Sequence, residues 1–313
     1  MPSADAMILG REAPAVGLRR KQRDLIAHAT AYALSGPALF LMALLLIGPV
    51  IVVLIMSFTD YSLGNSSFGW VGFDNYAEML EDDVFIKAIG NTLLYVGIVV
   101  PASVFLGLGA AMLIESLTHG RAFWRAVYFL PVMATLMAMA IVWEFMLNAR
   151  FGMISQLLVL LGFPAKNWLQ ETGTALPMLM VIGIWQALGF NMVLFMAGLT
   201  SIPRDLYEAL ELDGGSSSWS RFWTITWPML SPVTLFVVVI TAIRSFQVFD
   251  PVHVLTKGGP NNASMVLIYQ LYQEGFDFFR SAYAAGLTVV FLIFIFAITW
   301  VKSRVMEKNV HYG

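Results

Sequence analysis

An all-α integral membrane fold with six transmembrane helices, both termini cytoplasmic, follows from three observations on the 313-residue sequence. It is 58% hydrophobic and only 12% charged, against about 25% charged in ordinary globular domains. The charges lie almost wholly outside six long apolar runs. Lys and Arg gather in every second connecting segment, the pattern that orients helices in a bilayer.

The runs can be taken in order. Residues 1–30 are polar, include Pro2 and Pro14, and read as a cytoplasmic tail; residues 31–305 form the transmembrane domain, and 306–313 a second tail. Ala31 to Phe58, Ala88 to Ile114, Thr172 to Pro203, Phe222 to Ile243 and Ser281 to Val301 contain no Asp, Glu, Lys or Arg. Ala126 to Leu147 carries Glu144 alone. About 20 apolar residues span a hydrocarbon core of ~30 Å. Backbone groups in lipid must satisfy one another, so each run is expected to be a helix. The first run is too long for the apolar core of a signal peptide and lacks a credible small-x-small cleavage site, so it is expected to stay as a span.

Orientation rests on a count. Arg11, Arg19, Arg20, Lys21 and Arg23 share a side with Arg121, Arg125, Arg204, Arg221, Lys302, Arg304 and Lys308, twelve basic residues. The opposite side holds five: Lys87, Arg150, Lys166, Lys257 and Arg280. The richer side is the cytoplasmic one. The acidic stretch Asp60 to Asp83 then faces outward with a short surface helix. The segment Asn148 to Glu171, with Phe151, Leu157, Leu158 and Trp168, is expected along the outer interface as an aromatic anchor.

Several function classes drop out. A net charge of -2 offers no basic field for nucleic acid. There is no cysteine, and His28, His119, His253 and His311 are scattered, so no metal or other cofactor is expected.

One polar excursion stands apart, the segment 201–228 between the fourth and fifth spans. Ser201 is placed to N-cap a helix and Pro203 suits its first turn. Asp205, Glu208 and Glu211 complement the helix dipole. Gly214 and Gly215 permit a reversal, after which Trp219, Phe222, Trp223 and Ile225 give a second short helix an apolar face before Pro228 opens span five. An ordinary refolded loop would share this composition.

The residues themselves resemble a known family. Glu208-Ala209-x-x-x-Asp213-Gly214, followed by Phe222, Ile225, Pro228 and Pro232, resembles the "EAA" loop of permease subunits of binding-protein-dependent ABC importers. Leu199-x-x-Ile202-Pro203 and Thr256-x-Gly258-Gly259-Pro260 belong to the same signature, and Asn148-x-x-Phe151-Gly152 and Leu130-Pro131 also fit the carbohydrate branch, the maltose/glycerol-phosphate permeases. The likeness runs from about Phe40 to the C-terminus. Leu210 departs from it, standing where the family usually has a second alanine, and the Gly/Ser turn is one residue longer.

The resemblance implies a permease of the bacterial inner membrane that is not itself an enzyme. A separate ATPase pair would bind ATP and Mg, a second homologous permease subunit would complete the pathway, and an extracytoplasmic binding protein would deliver a sugar, oligosaccharide or sugar/polyol phosphate. The docking surface would be Asp60 to Asp83 with Lys257 to Arg280. Membrane lipid surrounds the whole. Glu208, Ala209, Asp213 and Gly214 would form the ATPase-coupling element. The chain has no Gly-x-x-x-x-Gly-Lys-Ser/Thr to cradle phosphates. Alignment on the same motifs implies a solute pathway at Gln186, Ala187, Phe190, Asn191, Thr241, Arg244, Ser245, Val248, Val132 and Leu136.

Arg244 is also conspicuous without any resemblance. Span five, taken as Pro228 to Leu255, would put it near mid-membrane, where arginine must face protein or water. It either holds helices together by pairing with Glu144, Asp250 or a partner subunit, or it meets the solute. Two other classes stay open. A secondary transporter could use Glu144 and Arg244 as an ion relay, though twin repeats are missing. A membrane enzyme would need a cluster of catalytic groups that the sequence does not offer.

Overall fold

The structure is a computed structural model that describes residues 15–65, 67–164, 166–215 and 217–309. It falls into two units, Met1–Ile55 and Met56–Gly313. In the first unit, α1 (Ala15–Met42) passes through a π turn at Ala43–Ile47 into α2 (Gly48–Met56). Its apolar passage is Thr30–Met56, with exposed side chains such as Phe40, Leu45 and Leu46. The helix begins at Ala15, inside the segment expected as a tail, because Leu18 to Ile26 is rich in strong helix formers. Residues 1–14 and 310–313, the outer parts of both tails, lie outside the described residues.

The second unit contains α3 (Asp74–Glu81), α4 (Asp83–Ser116), α5 (Arg121–Met133), α6 (Leu136–Met146), α7 (Met153–Leu160) and α8 (Ala175–Thr200). It continues with α9 (Arg204–Leu212), α10 (Ser218–Arg221), α11 (Trp227–Phe246), α12 (Leu267–Tyr272) and α13 (Ser281–Asn309). The only strand-like pairing among the described residues is an isolated bridge between Thr59 and Trp70. Its main core lies where α4, α8 and α11 meet, around Met192, Phe195, Leu230 and Val237. Glycine allows close approach here. A β-carbon on Gly107 of α4 would sit 2.7 Å from the Asn191 Cβ of α8.

Five helices are long and apolar enough to cross a membrane, and α5 with α6 makes a sixth passage only as a bent pair. The segment expected as the third span is therefore not one straight helix. The two helices meet at 103°, with Ala134 and Thr135 in extended backbone between them. Pro131 lacks the N–H that would close the last turn of α5, which weakens the helix just before the break.

Span five differs from expectation at both ends. The anticipated second short helix and the span are one continuous helix, Ser218–Phe246, with a π turn at Phe222–Thr226. The Trp227 N–H donates to Phe222 O, five residues back, immediately before Pro228. The same arrangement precedes Pro49, where Gly48 N–H donates to Ala43 O. A proline ring crowds the carbonyl four residues earlier, and the wider turn relieves that crowding without ending the helix.

At its other end the helix stops at Phe246 rather than Leu255, so Arg244 is in the last turn and not at mid-span. The chain resumes a helical course at Asp250 and Pro251 and enters a π turn at Val252–Thr256. Proline can open a helical turn but cannot sit inside one without losing a bond, which places the interruption before Pro251.

Two smaller expectations also change. Ser201 does not cap α9; its hydroxyl donates to the Gly198 carbonyl at 2.7 Å and finishes α8, while Pro203 occupies the cap position. Trp168 is 6% exposed, packed with Leu147, Leu169 and Ile182, so it is core and not a surface anchor; Leu160 and Phe163 carry the exposed apolar surface there.

Candidate functional site

A cavity of about 330 Å³ opens where α4, α5, α8 and the end of α11 converge. That lies within the roughly 300–1,000 Å³ usual for small-molecule sites. Its wall gathers Gln186, Ala187, Phe190 and Asn191 from α8, Thr241, Arg244 and Ser245 from α11, Val248 beyond it and Val132 from α5. Leu136 is the first residue of α6, and its side chain lies outside the described residues.

Close backbone packing sets these walls. A β-carbon on Gly189 would sit 2.0 Å from the Tyr128 carbonyl oxygen, so α5 rests on bare α8 backbone. Tyr95 and Val99 of α4 close the side that sequence reasoning missed. Gly183 makes room for Tyr95, because a β-carbon there would meet its Oη at 2.1 Å. The signal was available: Tyr95 is the sole tyrosine of the second apolar run. Gln247, Phe249, Asp250 and Pro251 were missed as well, since they follow the unexpected helix end.

The polar groups on the wall divide into two sets. Asn191 is fully buried; its Nδ2 donates to Ser103 Oγ at 3.3 Å and its Oδ1 accepts from Thr241 Oγ1 at 2.8 Å. This chain ties α4, α8 and α11 together within the apolar core and occupies the amide. Arg244 is different. It is exposed, and its guanidinium carbon lies 3.9 Å from the Phe190 ring centroid. It forms no ion pair among the described residues, so neither Glu144 nor Asp250 neutralises it.

A second candidate site is the excursion between α8 and α10. α9 ends in a two-bond cap: Gly215 N–H donates to Leu210 O at 2.8 Å, and Gly214 N–H to Glu211 O at 3.1 Å. Gly214 has φ +84°, the left-handed conformation such a cap requires. Gly215 serves a different need, since a β-carbon there would lie 2.6 Å from Leu210 Cδ1. The departure to leucine at 210 is thus matched by bare backbone opposite it.

Tyr207 and Leu210 pack against the main core, and the Tyr207 hydroxyl is 3.0 Å from Thr226 Oγ1. Glu211 pairs with Arg221 across the turn. Glu208, Ala209 and Asp213 are exposed on the opposite face, together with Leu212 at 89%. An amphipathic helix therefore fixes its inner face and leaves an acidic, partly apolar face uncovered.

The end that carries α3 is cross-linked by charge. Asp82 caps α4 through Val84 N–H at 2.8 Å and also accepts from Gln270 Nε2 at 3.0 Å and Tyr283 Oη at 2.8 Å. Arg280 pairs with Glu78 and Glu274 and lies over the Tyr283 ring. Burial pushes the Glu274 carboxyl above its ordinary range; Arg280 opposes this, while Asp82 and Glu78 add to it.

Two further motifs have local explanations. In Asn148-x-x-Phe151-Gly152, a β-carbon on Gly152 would lie 2.4 Å from Met146 O and 2.5 Å from Asn148 O, so only glycine closes that turn. In the Thr256 to Pro260 motif, the Ser264 hydroxyl reaches Thr256 Oγ1 at 2.8 Å and Gly259 O at 2.6 Å, clamping the loop.

Comparison with known proteins agrees with this architecture. Residues 103–307 match the family described as binding-protein-dependent transport system inner membrane component. The sn-glycerol-3-phosphate transport system permease protein UgpA of Agrobacterium fabrum (strain C58) is 29% identical over 285 residues, covering 90% of this chain and 96% of that one. The probable ABC transporter permease protein YurN of Bacillus subtilis (strain 168) is 31% identical over 265 residues, 83% of this chain and 90% of its own. The crystal structure of a bacterial ABC transporter involved in the import of the acidic polysaccharide alginate contains a chain with the same fold. Its TM-score is 0.75 at 23% identity, with 91% of this chain and 99% of that one covered. With most of its membrane helices inside the matched region, the chain belongs to the binding-protein-dependent transport system inner membrane component family and is a multi-pass permease of the inner membrane.

Proposed function

We propose that this permease forms half of the translocation pathway of an ATP-driven importer for a sugar, oligosaccharide or sugar/polyol phosphate. A second homologous permease subunit supplies the other half, two ATPase subunits bind ATP and Mg, and an extracytoplasmic binding protein delivers the solute. Two of the named relatives belong to an sn-glycerol-3-phosphate transport system and to a transporter involved in alginate import, which supports the solute class.

The observation that carries the coupling role is the split character of α9. Tyr207 and Leu210 anchor it to the core, the two-bond cap and the Glu211–Arg221 pair fix its exit, and Glu208, Ala209, Leu212 and Asp213 remain uncovered. A helix so held passes a push on its outer face to the packed helices as a body, the kind of motion alternating access needs. The distribution of Lys and Arg supports a cytoplasmic location for this face, where an ATPase would meet it.

The test is made on the complete importer in liposomes. Glu208→Lys reverses charge at an exposed position and is expected to cut ATP-driven uptake at least tenfold while helical content and membrane insertion are unchanged. Purification of the chain is expected to bring down an ATP-hydrolysing subunit, less of it with Glu208→Lys. Normal uptake by that variant would defeat the coupling role. Accumulation of solute by this chain alone, without nucleotide, would defeat the reading as a whole.

A further inference from the structure

Resting on the importer reading, we infer that the Arg244 guanidinium is the point in this cavity that recognises an oxyanion on the solute, either a carboxylate or a phosphate. Arg244 closes an apolar helix, a setting in which a charged side chain is retained only with a partner or water. Its recorded partner is the face of Phe190, which steadies the cation but accepts no N–H hydrogen bond. The five N–H donors are left for an oxygen inside the cavity.

The other polar groups on this wall do not compete for that role. Asn191 and Thr241 are 0% and 2% exposed and are bonded to one another. Gln186 and Gln247 are neutral and suit hydroxyl groups. Asp250 is the opposite charge on the same lining, yet it makes no ion pair with Arg244. A cation and a carboxylate kept apart suit a molecule that is anionic at one end and rich in hydroxyl donors at the other. The planar guanidinium can hold a carboxylate or a phosphate through two parallel bonds. A polyol hydroxyl can donate to Asp250.

This assigns Arg244 a task that a helix-packing residue would not have, and selectivity separates the two. The complete importer in liposomes is offered four probes: trigalacturonate, glycerol 3-phosphate, maltotriose and glycerol. ATP-dependent uptake of at least one anionic probe is expected, and the pair of anions tells carboxylate from phosphate. Arg244→Gln is expected to lower that uptake at least tenfold, and Arg244→Lys to keep about a third of it. A variant that only weakened packing would show no such rescue by lysine.

Uptake confined to the neutral probes overturns the inference. So does anionic uptake that Arg244→Gln leaves intact. Uptake that needs no ATP would instead refute the importer reading, while the order of the Arg244 variants on the anionic probes would still decide the assignment.

Discussion

Gly189 of α8 lies beneath the carbonyl oxygen of Tyr128 in α5, so close that a β-carbon would sit 2.0 Å from it. The bent helix that closes one side of the cavity therefore rests on a place where the neighbour has no side chain. Gly189→Ala is expected to force the helices apart, at a cost of about 1–3 kcal/mol. A lowered thermal midpoint in detergent measures it. Gly109→Ala, where the new carbon would meet nothing within 4 Å, is the control and should show no loss.

The Ser103–Asn191–Thr241 chain yields a coupling energy. Interhelical hydrogen bonds in membranes are worth ~0.6 to 2 kcal/mol. A double-mutant cycle with Asn191→Ala and Thr241→Val should return a value in that range. A value near zero would mean that the 2.8 Å contact adds nothing beyond packing.

The turn after α9 predicts a rescue. Gly215→Ala would drive a methyl into Leu210, and Leu210→Ala would remove the obstacle. The pair together should be more stable than Gly215→Ala alone. Gly214→Ala has no such remedy, because its cost is the left-handed backbone at φ +84°, about 1–2 kcal/mol. Thermal unfolding of the four variants checks both statements.

Glu274 makes a prediction about pH. Its folded-state value is raised from 4.5, with burial the leading cause, so the folded protein holds this proton more tightly than the unfolded chain. Below 4.5 the burial carries no penalty. From pH 4.5 up to the raised value the unfolded chain releases this proton while the folded protein keeps it, so stability falls, and it levels off above. Thermal midpoints from pH 4.5 to 7 should decline in the wild type and decline less in Glu274→Gln.

Much of this architecture was legible because lipid imposes a simple code. Charge-free runs of twenty or more residues gave the spans, and the Glu208 to Gly214 motif gave an exposed loop whose turn glycine has the positive φ expected of it. What escaped was the position of bends. Pro49, Pro228 and Pro251 mark two widened turns and one interruption, and composition does not tell which outcome a proline takes; the carbonyls crowding it decide. The end of α11 was misplaced for that reason, and Arg244 with it. Tyr95 was overlooked because hydropathy treats it as filling, whereas its place on the wall depends on Gly183 in another helix.

The run from Ser218 to Phe246 is unbroken for 29 residues, or more than 40 Å at ~1.5 Å per residue. One extremity abuts the capped turn of α9 through Glu211 and Arg221, and the other bears the cation over Phe190. Its one widened turn, at Phe222–Thr226, leaves the helix continuous, so in the importer proposed above a displacement at Trp219 would reach Arg244 as movement of a single element. Gripping and releasing cargo would then be geometry, with no chemical message relayed between the two extremities.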